Sequence, residues 1–176
     1  MLTLPGLPAP AQAAPRAAGL RTFPVQGTDL SVDLLPGAAA TVLLYAVRRF
    51  HYEIGALHAG DLAGDPGGTI VDIRPGWYPA GGRGNLLPHE LTVVRDIVAQ
   101  CDGLLAWGGD DPRTPREGRF RVAVAPAGHG LRALAGRLDA DAVHPGRRVG
   151  AGIALPFTPA RVRRAESIRR GAGPVQ

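Results

Sequence analysis

Apolar residues recur every three or four positions in three stretches of the chain, which is the spacing of a helix with one buried face. These stretches are 41–53, 88–102 and 131–138. The second is the clearest, because Pro88 suits the first turn of a helix and Gly103 is a common residue just past a helix end. The pattern therefore predicts three amphipathic helices.

Short runs of apolar and β-branched residues between these helices predict strands at 69–73, 104–107 and 119–125. A weaker alternation of polar and apolar residues over 29–35 predicts a further short strand. Helices and strands do not alternate as they do in parallel β-α-β units. We therefore expect an α+β fold, with a small and mostly antiparallel sheet packed by helices and the helix 88–102 on that sheet.

The two ends of the chain lack this patterning. Residues 1–37 are rich in Pro, Ala and Gly, and residues 139–176 combine prolines with a basic segment, 161–170, that is predicted to be helical. Stretches of this composition bury little apolar surface of their own. We therefore expect one domain, 38–138, between two extended arms that lie off its core and contact other protein subunits of an assembly.

All 20 basic residues among the 176 are Arg, and the formal net charge is +5. Arg, Ala, Gly and Pro have GC-rich codons, so this composition points to a GC-rich bacterial origin more than to a function. A positive surface would suit an anionic polymer. Few aromatic residues lie near the basic segments to stack on bases, so nucleic acid is not an expected partner.

The sequence also bears on the location of the protein. The first residues lack the basic and long apolar regions of a signal peptide, and no apolar stretch approaches the length of a membrane span. We expect neither a signal peptide nor a span. Cys101 is the only cysteine, so no internal disulfide can form, and we expect a buried, unreactive thiol.

Three segments occur in an order that is typical of one family. Residues 67–73 read Gly-Gly-Thr-Ile-Val-Asp-Ile, and residues 101–110 read Cys-Asp-Gly-Leu-Leu-Ala-Trp-Gly-Gly-Asp. The third segment, 117–122, reads Glu-Gly-Arg-Phe-Arg-Val and overlaps the predicted strand at 119–125. This order resembles the zinc D-alanyl-D-alanine carboxypeptidases and L-alanyl-D-glutamate endopeptidases, in particular the peptidase domains of phage endolysins. The resemblance covers 41–138, and it implies the α+β fold of that family.

The resemblance also implies that the metal site has been lost. The family binds zinc through the His and Asp of a Ser-x-His-x-x-Gly-x-Ala-x-Asp pattern and through a later His, and a carboxylate three residues before that His is the general base. Here Asp72 keeps the Asp position, whereas Asp65 and Arg119 stand at the two His positions. Arg116 stands at the base position, with Glu117 beside it.

A guanidinium cannot replace a zinc ligand or a base. Catalytic zinc needs three protein ligands with lone pairs, and Arg has neither a lone pair to donate nor a basic form at physiological pH. We therefore expect no zinc, no other cofactor and no catalytic residue. Instead, Arg119, or failing it Arg121, is expected to form a salt bridge with Asp72 or Asp65 in the place of the metal.

Two alternatives involve the same carboxylates. Asp65 is expected to stabilise a turn, but together with Asp72 it could hold a hard cation such as Ca²⁺. The chain could also be a divergent metal-dependent peptidoglycan peptidase, an endolysin-like hydrolase. That function would require Asp65, Asp72 and an unidentified histidine to bind the metal.

The sequence therefore predicts a non-catalytic structural or binding protein on a cell-wall-peptidase-like scaffold. Because the relatives implied by the resemblance are phage lysins, we expect a component of a phage or phage-derived particle (tail, baseplate or capsid) that assembles in the cytoplasm. The former substrate groove could instead bind peptidoglycan or another anionic polymer. Its candidate residues are Arg113, Arg116, Arg119, Arg121 and Trp77.

Overall fold

The computed structural model describes residues 19–143 and 155–171. They form helices and small antiparallel sheets, so the predicted α+β class is confirmed. The elements in chain order are β1 (Arg21–Pro24), β2 (Ser31–Leu34), α1 (Ala38–Glu53), β3 (Leu62–Gly64), β4 (Ile70–Ile73), α2 (Pro88–Gln100), β5 (Leu105–Trp107), β6 (Arg119–Val122), α3 (His129–Val143) and α4 (Pro159–Gly171).

The main sheet has the strand order β3-β4-β6-β5, and each neighbouring pair is antiparallel. In the β4–β6 ladder, Asp72 lies opposite Arg119, and Val71 lies opposite Phe120. Successive side chains of a strand point to opposite faces of the sheet. The sheet therefore has one apolar face, on which Val71 and Phe120 are fully buried, and one open face with charged side chains.

Helices cover the apolar face of the sheet. α1 contacts β4 and β6, and its Leu43, Val47 and Phe50 are fully buried. α2 packs against α1 and the edge strand β5, and α3 packs along α1. The predicted packing of the helix 88–102 on the sheet is therefore confirmed, at the β5 edge.

The described part of the predicted N-terminal arm belongs to the core. β1 and β2 pair as an antiparallel hairpin, which confirms the predicted short strand within 29–35. Val25, Val32 and Leu34 of this segment are buried, and β2 contacts β3. The expectation that this arm lies off the core is therefore wrong for residues 19–37. Their few apolar side chains fall on one side of the hairpin, so the segment buries more surface than its Pro- and Gly-rich composition suggests.

The basic C-terminal segment also packs on its own domain. The predicted helix at 161–170 is confirmed as α4, which contacts α2 and buries Ala165. Nε and Nη2 of Arg161 donate hydrogen bonds to the carboxylate of Asp96 on α2, at 2.7 and 2.5 Å. The expectation that this helix lies off the core is wrong, because its inner side carries the partner of a buried charge. The remaining expectations for the arms concern 1–18, 144–154 and 172–176, outside the described residues.

The carboxylate of Asp96 is the centre of a buried ionic network. Its side chain is only 1% exposed, and Arg49 of α1 donates to it from Nη1 at 2.7 Å. Arg49 also donates two hydrogen bonds to Glu53, both at 2.6 Å. Burial by itself would raise the pKa of Asp96, but the hydrogen bonds from Arg161 and Arg49 outweigh burial and lower the pKa. The network therefore connects three helices through one ionised carboxylate.

Cys101 directly follows α2 and is fully buried, as expected. Burial raises the pKa of its thiol to about 12, so the reactive thiolate form is scarce at neutral pH. None of the helices in the described residues is long and apolar enough to cross a membrane.

Candidate anion-binding site

A carboxylate held by two guanidinium groups lies on the open face of the main sheet. Arg119 on β6 donates from Nε to Oδ1 of Asp72 at 2.8 Å, and from Nη2 to Oδ2 at 2.7 Å. Nη1 of Arg116 donates to the same Oδ2 at 3.1 Å. The predicted salt bridge between Arg119 and Asp72 is therefore confirmed. The second guanidinium was not predicted, because Arg116 precedes the strand in a loop whose path the sequence does not reveal.

These contacts keep the carboxylate ionised. Burial alone would raise the pKa of Asp72, but the hydrogen bonds and charge of Arg119, together with those of Arg116, outweigh burial and lower the pKa. The hydrogen bond to Asp72 in turn raises the pKa of Arg119. Both carboxylate oxygens thus face cations that have no lone pairs. In this arrangement Asp72 is an ion-pair partner, and a cation would have to displace both guanidinium groups to reach it.

We expect the Asp72–Arg119 pair to contribute about 1 kcal/mol of coupling energy to stability, the level of a well-formed pair that is partly open to solvent. The side chains are 15% and 32% exposed, so water screens the pair more than it would in the core. Urea unfolding of Asp72→Ala, Arg119→Ala and the double variant measures the coupling. A value near zero would mean that the bridge does not persist in solution.

A cavity of about 180 Å³ opens beside this pair. Three of its lining side chains are guanidinium groups, and the carboxylate among its lining residues is that of Asp111, so the lining is positive overall. An anion of a few heavy atoms fits a space of this volume. The lining residues are Trp107, Gly108, Asp111, Thr114, Arg116, Arg119 and Arg121.

Arg121 differs from Arg116 and Arg119, because its guanidinium does not bind Asp72. Its cross-strand neighbours are Ile70 on β4 and Ala106 on β5, so neither adjacent strand places a carboxylate opposite it. Within 19–143 and 155–171, Arg121 has no ion pair and no side-chain hydrogen bond. Its five N–H donors are therefore available to a ligand in the cavity.

The loop that closes the cavity is held by Asp111. Its Oδ1 accepts backbone N–H groups from Arg113 at 2.8 Å and Thr114 at 3.0 Å. The hydrogen bonds from Thr114 and Arg113 lower the pKa of Asp111, and the positive charges of Arg113 and Arg121 add to this effect. Asp111 is thus a fixed negative group at the rim of the cavity, whose other charged lining groups are the three positive guanidinium groups.

The structure brings together three of the five predicted groove residues. Arg116, Arg119 and Arg121 line the cavity, whereas Arg113 is exposed on the adjoining loop and is not part of the lining. Trp77 is not part of it either. Its ring lies against the guanidinium of Arg74, 5.4 Å from ring centroid to carbon, in a cation–π contact.

Glu117, the neighbour of the family's base position, has a structural role. Its buried carboxylate accepts hydrogen bonds from the backbone N–H groups of Gly84 and Asn85, both at 2.8 Å, and from Nδ2 of Asn85 at 2.9 Å. Nε1 of Trp107 donates to the backbone carbonyl of Glu117 at 2.6 Å. These contacts fix the loop before α2 against the main sheet, and they occupy both carboxylate oxygens.

Asp65 has the role of a turn residue, which confirms the simpler of its two interpretations. Its Oδ1 accepts the N–H groups of Thr69 and Ile70, both at 2.8 Å, and its Oδ2 accepts that of Gly67 at 2.9 Å. In the part of the chain that the structure describes, no three His, Cys, Asp or Glu side chains form a group that could hold a metal ion. The lack of a cofactor stays a prediction.

Comparisons with known proteins identify no relative from which a role for this site could be inferred. No family model matches the chain, and neither a curated protein nor a solved structure is significantly similar to it. The resemblance to the zinc peptidases therefore stays an expectation that rests on the motif order, and the open face of the sheet has to be interpreted from its own chemistry.

Proposed function

We propose that this chain is a non-catalytic binding protein on a peptidase-like scaffold, and that the open face of its main sheet holds an anionic group of a cell-wall polymer such as peptidoglycan. The observation that carries the proposal is that the three guanidinium groups of the cavity have different contacts. Arg119 and Arg116 neutralise Asp72, while Arg121 faces the same cavity without an ion pair in the described residues.

The chemistry of the cavity supports an anionic ligand. Guanidinium groups form charge-assisted, often bidentate hydrogen bonds with carboxylates and phosphates, which are stronger than neutral hydrogen bonds. Arg119 is held in place by Asp72 and so needs little ordering when a ligand binds. Peptidoglycan is the polymer that the resemblance favours, and its stem peptides carry carboxylates.

The same contacts disfavour the alternative of a metal-dependent peptidase. Asp72 would have to exchange two guanidinium partners for the metal, and the carboxylate of Glu117 is occupied by the loop before α2. A particle subunit is also less well supported than the sequence suggested. The described parts of both arms pack on their own domain, so we propose a wall-binding protein rather than a particle component.

Replacing Arg121 tests the proposal. We expect the purified protein to cosediment with isolated peptidoglycan sacculi at low salt, and Arg121→Gln to weaken this binding by about tenfold or more, since a charge-assisted hydrogen bond contributes about 1.5–3 kcal/mol. Arg21→Gln is the matched control, because Arg21 is exposed on β1, away from the cavity.

Two outcomes would contradict the proposal. One is equal binding by the wild type, Arg121→Gln and Arg21→Gln. The other is cleavage of wall peptides, with stoichiometric zinc in the purified protein, that disappears in Asp72→Ala.

A further inference from the structure

We propose that the outer face of α4 and the turn before it form a surface that binds an anionic lipid bilayer. This surface, the α4 surface, consists of Leu155, Phe157, Arg163 and Arg170. It is separate from the anion-binding cavity, because α4 packs on α2, whereas the cavity lies on the face of the sheet opposite to the helices.

The apolar side chains of the α4 surface are exposed to solvent on an anchored turn. Leu155 is 65% exposed and Phe157 is 57% exposed, whereas Pro156 between them is buried. The N–H of Thr158 donates to the carbonyl of Leu155 at 3.3 Å, which closes a turn at this point. The turn is therefore anchored through Pro156, and it presents two large apolar side chains away from the domain.

The basic part of the α4 surface comes from the helix itself. Arg163 and Arg170 are seven residues apart, so they lie on one stripe, which faces away from the buried Ala165. Arg169 is exposed as well, but it lies one turn after Ala165 and therefore outside this stripe. Neither Arg163 nor Arg170 has an ion pair or a side-chain hydrogen bond within 19–143 and 155–171, and Glu166 lies within one turn of both on the same side of the helix.

Intramolecular contacts account for two further cations of α4. Arg161 binds the buried Asp96, and Arg164 donates to Asp102 at 2.5 Å. The inner side of the helix thus serves to dock α4 on α2. Arg163 and Arg170 have no such role in the domain, so their guanidinium groups are available to an external partner.

The combination of features favours a bilayer over nucleic acid. Anionic lipid headgroups attract clustered Arg side chains, and the region below the headgroups accepts bulky apolar side chains. A nucleic acid would satisfy the cations but would leave Leu155 in water. The contact is peripheral, since the apolar side of α4 is already packed on the domain.

Vesicle cosedimentation of the full chain tests this inference. We expect binding at about 0.1 M salt to vesicles of phosphatidylcholine with about 30% phosphatidylglycerol, and little binding to phosphatidylcholine alone. Arg163→Glu/Arg170→Glu is expected to weaken binding at least tenfold, since each Arg near such a surface contributes about fivefold and reversal adds repulsion. Leu155→Ser/Phe157→Ser is also expected to weaken binding several-fold.

Arg21→Glu/Arg113→Glu is the matched control, because it makes the same change in net charge at two exposed positions outside the α4 surface. Equal weakening by this control would overturn the inference, since binding would then follow net charge alone. Binding to a 20-base-pair DNA duplex without binding to anionic vesicles would overturn it too. Arg121→Gln should leave vesicle binding unchanged, so failure here is distinguishable from failure of the proposed wall binding.

Discussion

Asp96→Asn is expected to lower the free energy of unfolding by about 3 kcal/mol, because breaking a buried ion pair leaves its partner uncompensated in the interior. Asn keeps the shape of the side chain but not its charge. Arg49 would keep only the carboxylate of Glu53, which is partly exposed, and Arg161 would lose the anion that docks α4 on α2. Urea denaturation followed by circular dichroism measures the change.

Asp102→Asn is a control with the same chemical change. Asp102 also accepts from two Arg side chains, Arg137 and Arg164, but its side chain is 37% exposed. A solvated ion pair of this kind contributes about 0–1 kcal/mol to stability. The free energy of unfolding of the control should therefore lie within about 1 kcal/mol of the wild-type value. A similar loss of unfolding free energy in both variants would show that the burial of Asp96 is not the cause of the destabilisation.

The same network predicts how stability depends on pH. The folded-state pKa of Asp96 lies below the unfolded-state value of about 3.9. The contribution of ionised Asp96 to the free energy of unfolding is therefore fully present above the unfolded-state pKa, and it is lost as the pH falls through the folded-state pKa. Asp96→Asn should accordingly show a shallower loss of stability below about pH 4 than the wild type does.

Glu117→Gln is expected to lower the free energy of unfolding by about 2 kcal/mol and to make the loop before α2 more mobile. Three N–H donors converge on the two oxygens of Glu117. Gln has one acceptor oxygen, and its amide nitrogen would face another donor, so at least one buried donor would lose its partner. The loop contains Arg83, and limited trypsin digestion should therefore cut after Arg83 much faster in the variant.

Glu166→Gln is the matched control for this experiment, because it makes the same change at an exposed position on α4. It should change neither the unfolding midpoint nor the rate of cleavage after Arg83. If Glu117→Gln also leaves both unchanged, the loop is held by its other contacts, such as the hydrogen bond from Arg83 to the carbonyl of Asp111.

Most strands and helices of the domain could be predicted because their patterns are local, whereas β1 and β3 were not predicted. In β6, the alternation of Arg119 and Arg121 with Phe120 and Val122 follows the buried and open faces of the sheet. The hairpin was not predicted to be part of the core, because the Pro-, Ala- and Gly-rich composition of 1–37 as a whole outweighed the short alternation around Val32 and Leu34. Only contact with the rest of the core shows that these few apolar side chains suffice.

The site was partly predictable for the same reason. The pairing of Asp72 with Arg119 followed from the motif order, because both residues lie in strands with a definite register. The roles of Arg116 and Glu117 depend on loop paths, which no periodicity encodes. Asp96 stood in a predicted helix as an ordinary polar residue. It is in contact with Arg49 of α1 and Arg161 of α4, which lie 47 and 65 residues away in the chain, and no local pattern reports these contacts.

The edges of the main sheet have a consequence for aggregation. Both edge strands, β3 and β5, are only three residues long, and a long open edge is what allows sheets of different molecules to join. At β3 the hairpin comes so close that a Cβ on Gly64 would lie 2.7 Å from the carbonyl oxygen of Asp33. The main sheet therefore offers other chains little free backbone, and a protein partner of this sheet would have to be recognised through side chains.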